Sequence, residues 1–336
     1  MALSAIFVLG CMALVVLIDP FFQYHKPLKG MSYTIDNQQC QNPGIAKNFD
    51  YDSVILGSSM TVNFNPELFR ETMGLATVKL SYNGAYPKDI DNIMAIIRNS
   101  PNQVKEVFLG IDIYTYKAKP GIMSYEIPQY LYDDSPWNDL PYLLNKDVLL
   151  DYILKNIISP QGSTPLNEIY YTWKHSVYSK DNVLASYSVP GQFLSALPKD
   201  IYRDNIEESM HSYILPYIES MPETHFTVFF PPYSVLYWYT RFAEGSLEAE
   251  MYGEKQIIET LLSYPNVSVY YFQNMYSFIT DLDQYTDYTH YTHEMNDYMT
   301  HCFADGTSQV TKENYEEVLN EMLLWMSECD FESYLK

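Results

Sequence analysis

The sequence predicts an α/β protein with a three-layer α/β/α architecture, in which helices cover both faces of a mostly parallel sheet and one helical insertion interrupts the pattern. Three observations carry this. Five short β-rich runs punctuate the 336 residues, the stretches between several of them repeat apolar residues at helical spacing, and 47% of the chain is hydrophobic, which excludes disorder. Strands that alternate with helices build βαβ units, and their parallel strands must be covered on both faces. A chain of this length can bury one large core.

The first element differs from the rest. Residues 2–18, ALSAIFVLGCMALVVLI, carry no formal charge, and about 17 apolar residues is the lower limit for crossing a bilayer. Residues 1–20 are therefore expected to be an N-terminal membrane anchor. Asp19, Pro20 and the interface-type aromatics Phe21, Phe22 and Tyr24 follow without a small-x-small cleavage signal, which favours an uncleaved anchor over a removed signal peptide. No basic residue precedes the segment, and Lys26 and Lys29 follow it, which taken alone argues against export; an incomplete N-terminus would explain this. The stretch VLGC at Cys11 has the outline of a lipoprotein cleavage site without the leading basic region. Residues 21–45 are expected to link the anchor to a domain spanning 46–330. The four cysteines, Cys11, Cys40, Cys302 and Cys329, have neither CxxC nor metal-ligand spacing and do not decide the redox compartment.

Within the domain the β-rich runs are DSVILG (52–57), ATVKLS (76–81), VKEVFLGID (104–112), HFTVFF (225–230) and NVSVYYF (266–272). The stretch 87–99, PKDIDNIMAIIRN, places Pro87 in a first helical turn and Ile90, Ile93, Met94 and Ile97 on one face. A last helix is expected from Thr311 as N-cap, with Tyr315, Val318, Leu319, Met322 and Trp325 or Met326 facing inward. Between Lys117 and Glu219 the alternation lapses into Tyr- and Pro-rich sequence with helices expected near 145–158 and 165–178. So long a segment without a core strand reads as a helical insertion or cap over the sheet.

Charge and composition restrict function. A net charge of −22, from 20 basic and 42 acidic residues, would repel a polyanion, so nucleic acid is excluded as a partner. The 33 tyrosines suit carbohydrate stacking and equally the rim of a core.

The first strand run ends in Gly57-Ser58-Ser59. Ligands gather at the carboxyl ends of parallel strands, and a serine opening the next helical turn there can be a nucleophile beside free backbone N–H groups. Ordinary helix capping explains the same residues. A serine nucleophile needs a base and an orienter. Asp287 and His290, three apart in YTDYTHYTH, have the spacing for a carboxylate to orient an imidazole, with His293 and His301 as competitors and a surface helix start as the structural alternative. A metal reading of Asp287, His290 and His293 lacks the HExxH pattern, and the two histidines stand three rather than four apart.

A strand-end G-x-S early in the domain, a glycine after the second strand and D-x-x-H near the end together resemble the SGNH, or GDSL-type, hydrolase superfamily. The resemblance is closest to its membrane-anchored branch, which includes the D-alanyl-transfer protein of lipoteichoic acid synthesis and the periplasmic alginate acetylation proteins. NPGIAKNFDYDSVILGSSMTVNF (42–64), FFPPYS (229–234) and DYTHY (287–291) are similar to segments of Gram-positive surface proteins of that type. The likeness covers most of residues 40–325 and leaves the insertion unmatched. It implies Ser59 as nucleophile, His290 as general base and Asp287 as its orienter. The oxyanion would be held by the backbone N–H groups of Ser59 and Gly84, although Gly84 also fits a plain turn after Asn83. No cofactor or metal is implied.

The family's third block, G-x-N-D, meets Gly110-Ile111-Asp112 here. An ionised aspartate cannot donate to an oxyanion, so Asp112 is either protonated, or used otherwise, or replaced by the two backbone donors with help from the Asn83 amide. The patch PPYSVLYWY (231–239) offers Tyr233, Tyr237 and Trp238 as a sugar platform or as core. The implied function is an extracellular, membrane-anchored serine esterase or O-acyltransferase acting on an envelope glycan or acylated polymer beside a membrane-bound O-acyltransferase. The alternative is an envelope binding or assembly protein whose triad is idle.

Overall fold

A computed structural model describes residues 2–158 and 175–336. Six strands form one sheet: β1 (Ser53–Leu56), β2 (Thr77–Lys79), β3 (Glu106–Gly110), β4 (His225–Phe230), β5 (Val267–Tyr271) and β6 (Gln309–Val310), in the order β2-β1-β3-β4-β5-β6. The first five are parallel, with Val54 of β1 opposite Val78 of β2 and Val107 of β3, and Val107 opposite Phe226 of β4. All four residues of β1 are buried, as expected for a strand covered on both faces, and this is why it reads as an unbroken apolar run. The two-residue β6 pairs antiparallel with β5. No sequence signal marks it, because two residues are too short to show a period of two; the reversal at Gly306 (φ +83) and Ser308 (φ +65) brings it back to the edge.

The chain steps from β1 outward to β2 and then returns past β1 to β3. Right-handed crossovers in opposite directions place helices 66–73 and 87–99 on opposite faces of the sheet, which gives the three layers. The direction of winding reverses between β1 and β3, so their carboxyl ends border a crevice. Helix Pro87–Asn99 has the expected limits and buries Ile90, Ile93, Met94 and Ile97. The last helix runs Tyr315–Glu328, later than expected, because Thr311 caps a preceding turn by accepting from Glu313 N (3.2 Å) while Asn314 holds the cap position. Leu319, Met322 and Met326 are its buried residues. Below the crevice Phe64, Phe69, Phe108, Phe229 and Phe303 pack ring to ring at 4.7–5.7 Å in their closest pairs.

The expected linker is instead part of the core. Phe21, Phe22, Tyr33 and Ile35 are buried, and residues 38–48 form a helix against which the chain at Phe21 and Phe22 lies so closely that a Cβ on Gly44 would stand 2.0 Å from Phe21 O. Asp19, fully buried at φ +48, accepts from the backbone N–H groups of Gln23, Tyr24 and His25 and from the Tyr142 hydroxyl. Aromatic packing against residues from the 117–219 region therefore fixes the segment. Residues 2–18 form one helix with Leu3, Phe7 and Leu9 exposed and Val15 and Ile18 buried. Its 17 residues extend about 26 Å, and no helix among the described residues is long and apolar enough to cross a membrane.

Among the described residues, the 117–219 region carries short helices separated by irregular chain and no strand of the sheet. The helix near 145–158 is a π-helical stretch, Val148–Leu154, running into Lys155–Ile158; that near 165–178 lies largely outside the described residues. All four cysteines are free.

Candidate active site

The turn after β1 is built for close approach. Gly57 has φ +142, and a Cβ there would come 2.7 Å from Thr61 Cγ2 and 3.2 Å from Gly110 O at the end of β3, so the two strand ends meet only if the residue is glycine. The chain then enters a single 3₁₀ turn, Ser59–Thr61, whose N-cap Ser58 accepts from Met60 N (3.2 Å) while Thr61 Oγ1 donates to Ser58 O (2.8 Å). Met60 O in turn accepts from Tyr291 Oη (2.9 Å) and Asn296 Nδ2 (3.2 Å). These bonds tie the serine turn to the far end of the chain.

The histidine is held from several directions. Residues Tyr285 and Tyr291 form a β-bridge, and Thr286 N donates to His290 O at 2.9 Å. Tyr285 Oη donates to Pro232 O (3.0 Å) and Ser234 Oγ to Tyr288 O (2.6 Å), which fastens the loop to the segment after β4. Inside the loop, Asp287 Oδ1 accepts from Thr289 N (2.8 Å), Thr289 Oγ1 (2.9 Å) and His290 N (2.9 Å). Its other oxygen, Oδ2, lies 2.7 Å from His290 Nδ1, and His290 Nε2 lies 2.8 Å from Ser59 Oγ across 231 positions of sequence.

Burial alone would raise the Asp287 pKa. The hydrogen bond and charge of His290, with the backbone N–H groups of His290 and Thr289, outweigh it and hold the carboxyl well below the usual carboxylate range. An ionised carboxylate only accepts, so the ring proton sits on Nδ1 and Nε2 is left as the acceptor for the serine proton. His293 opens the next helix and His301 is exposed; His290 is the histidine that meets Ser59. Among the described residues no group of three His, Cys, Asp or Glu side chains could hold a metal ion.

Ser59 and His290 line a cavity of about 340 Å³ whose wall also includes Ser58, Gly84, Asp112, Tyr233, Tyr237 and Arg241. The N–H groups of Ser59 and Gly84 have no hydrogen-bond partner among the described residues. Gly84 holds φ +66, and its carbonyl is engaged by the Ser124 hydroxyl. Asn83 is turned away: its N–H donates to Gln38 Oε1 (2.8 Å), its Oδ1 accepts from Gln38 Nε2 (3.5 Å), and it does not border the cavity. The Asn83 amide thus stands apart from the two backbone donors.

Asp112 is buried and accepts a hydrogen bond from the Tyr233 hydroxyl. Burial pushes its carboxyl up, against the opposing pull of Ser58, Tyr233 and the His290 charge. With its proton this carboxyl can donate a hydrogen bond, and without it the group only accepts. Tyr233 and Tyr237 stack at 4.2 Å and 19° on the cavity wall, with the Tyr237 hydroxyl donating to Glu250 (2.9 Å). Trp238 does not join them. It is fully buried, edge-on to Tyr237 at 5.1 Å, and does not line the cavity, because the next position on a helix turns about 100° away from the face shared by Tyr237 and Arg241 at i, i+4. That i, i+4 relation is the signal by which Arg241 could have been found; nothing local marks Tyr291 and Asn296 as holders of Met60 O.

No family model, no curated protein and no solved structure matches the chain. Fold and site together define an α/β protein with a hydrogen-bonded serine–histidine–aspartate triad at the carboxyl ends of the parallel strands of a mostly parallel sheet.

Proposed function

We propose that the protein is a cell-envelope serine esterase or O-acyltransferase of the SGNH type, acting on an acetylated glycan or lipid-linked polymer through an acyl-Ser59 intermediate. The supporting observation is the continuous path from Ser59 Oγ through His290 to Asp287, at 2.8 and 2.7 Å. His290 Nε2 takes the hydroxyl proton as Ser59 Oγ bonds to the ester carbonyl carbon. The resulting oxyanion is received by the Ser59 and Gly84 N–H groups. Collapse breaks the bond to the alcohol, which leaves with the proton from His290, and the acyl group stays on Ser59. Water or a sugar hydroxyl then repeats the attack, with His290 taking its proton and returning it to Ser59. Which acceptor arrives decides between esterase and transferase. The apolar helix Ala2–Ile18, which exposes Leu3, Phe7 and Leu9 and is shorter than a full membrane span among the described residues, would attach the domain to the extracellular face of the membrane, beside envelope polymers and a membrane-bound O-acyltransferase.

Asp112 supports a second reading, an envelope binding or assembly protein with an idle triad, because its carboxyl repels an oxyanion wherever it is ionised. Release of p-nitrophenol from p-nitrophenyl acetate and of acetate from acetylated xylan, compared between wild type and Ser59→Ala, separates the two. Equal rates would remove Ser59 from the chemistry; no release or acyl transfer from any donor would favour the second reading. A fluorophosphonate is expected to label Ser59, and labelling of any other residue would overturn the assignment.

A further inference from the structure

We propose that a second pocket, beside the Ser59 cavity, is the subsite for a neutral polyhydroxylated chain, the glycan that presents the acyl group; the link to acyl chemistry rests on the function proposed above. This pocket, about 560 Å³, shares Arg241 and Tyr288 with the Ser59 cavity. A ligand seated there abuts the wall of the reaction site. Its volume falls within the roughly 300–1,000 Å³ of small-molecule sites.

The lining has the chemistry of a sugar site. Ser188, Gln192 and Thr240 supply hydroxyl and amide groups, and Val189 and Pro190 an apolar edge. The Tyr187 ring packs at 5.6 Å against Tyr288, with its hydroxyl engaged by Thr240 Oγ1 at 2.9 Å. Tyrosine rings of this kind present faces for C–H-rich sugar surfaces while the hydroxyl and amide groups read the oxygens.

Charge decides against an anionic polymer. Arg241 is the cation at the shared wall, and it is already neutralised: Nη2 lies 3.1 Å from Glu244 and Nη1 3.6 Å from the fully buried Glu250. Lys117 Nζ, at 2.5 Å, also faces Glu250. Two cations against two carboxylates leave no surplus positive charge for a phosphate in a chain of net charge −22. Arg241 still offers the N–H donors of its guanidinium group at the pocket wall. A ligand that needs donors without net charge is a neutral polyol.

The test is direct binding of xylotetraose, cellotetraose and maltotetraose to the full chain by calorimetry, with a tetrameric glycerol phosphate as the anionic competitor. At least one neutral tetrasaccharide is expected to bind, with affinity falling at least tenfold in Ser188→Trp, which fills the pocket from an exposed position. Gln192→Ala, also exposed, is expected to lose about threefold and stands in if the tryptophan variant melts early. Binding of none of the three, unchanged affinity in both folded variants, or tighter binding of the glycerol phosphate would overturn the proposal. Turnover of p-nitrophenyl acetate without oligosaccharide binding would refute the subsite and leave the acyl chemistry standing; binding without turnover of any ester would do the reverse.

Discussion

Replacing Asp287 by asparagine tests the triad at its least conspicuous member. Two backbone N–H groups and a hydroxyl converge on Asp287 Oδ1, those of Thr289 and His290. An asparagine must place its carbonyl oxygen there, since an amide NH₂ would face two backbone donors. The NH₂ is then left at the Oδ2 position, 2.7 Å from His290 Nδ1. Nδ1 becomes an acceptor, so the ring proton moves to Nε2, where it points at Ser59 Oγ and blocks removal of the serine proton. Geometry is kept and the base is lost.

In a triad of this type the wrong tautomer lowers kcat by about 10⁴, or about 5 kcal/mol of barrier at 1.36 kcal/mol per decade. The assay is kcat for p-nitrophenyl acetate together with nitrogen-15 spectra of the His290 ring, which need no substrate. Wild type is expected to carry the proton on Nδ1 and Asp287→Asn on Nε2, with fluorophosphonate labelling of Ser59 slowed in parallel. A variant within tenfold of wild type, or an unchanged tautomer, would refute the reasoning from the Oδ1 contacts.

Three further outcomes are expected. Asp112→Asn keeps an oxygen for the Tyr233 hydroxyl and adds a donor that does not titrate; wild type should lose its donor as pH rises through the raised Asp112 pKa, so the variant should exceed it at alkaline pH by about tenfold or more, and identical alkaline limbs in the pH–rate profiles would dismiss the role. Burial pushes Glu254 up from its ordinary 4.5 to about 8, so the folded state holds that proton more tightly than the unfolded chain, and its contribution to stability is full below about pH 4.5 and lost as pH rises toward 8. The loss amounts to about 5 kcal/mol; urea unfolding should show Glu254→Gln gaining on wild type between pH 5 and 8, and a pH-independent difference would contradict it. Gly44→Ala should cost about 3 kcal/mol, because its Cβ would meet Phe21 O at 2.0 Å; unchanged urea unfolding would show that residues 19–22 are not packed on that helix.

What could be read in the sequence was whatever a local pattern specifies. β1 and helix 87–99 were legible because burial on both faces, or on one helical face, writes a periodicity into consecutive residues. The pairing of Ser59 with His290 was legible for a different reason: parallel topology places strand ends together, and the chemistry of a serine requires a base nearby. Asp19 and Gly44 failed to show because their roles depend on contacts across distant sequence. A charged residue after an apolar run looks like a membrane boundary, and only the convergence of three backbone N–H groups and Tyr142 Oη on its carboxylate makes it the hub of a packed segment. The same limit explains Trp238. Composition marks it as a sugar-stacking residue, but the direction of a helical side chain is set by its register against the neighbouring layer, and that register assigns the cavity to Tyr237 and Arg241 instead. A site at the carboxyl ends of a sheet's strands is therefore foreseeable in its reacting atoms, which chemistry constrains, and much less so in its walls, which packing selects.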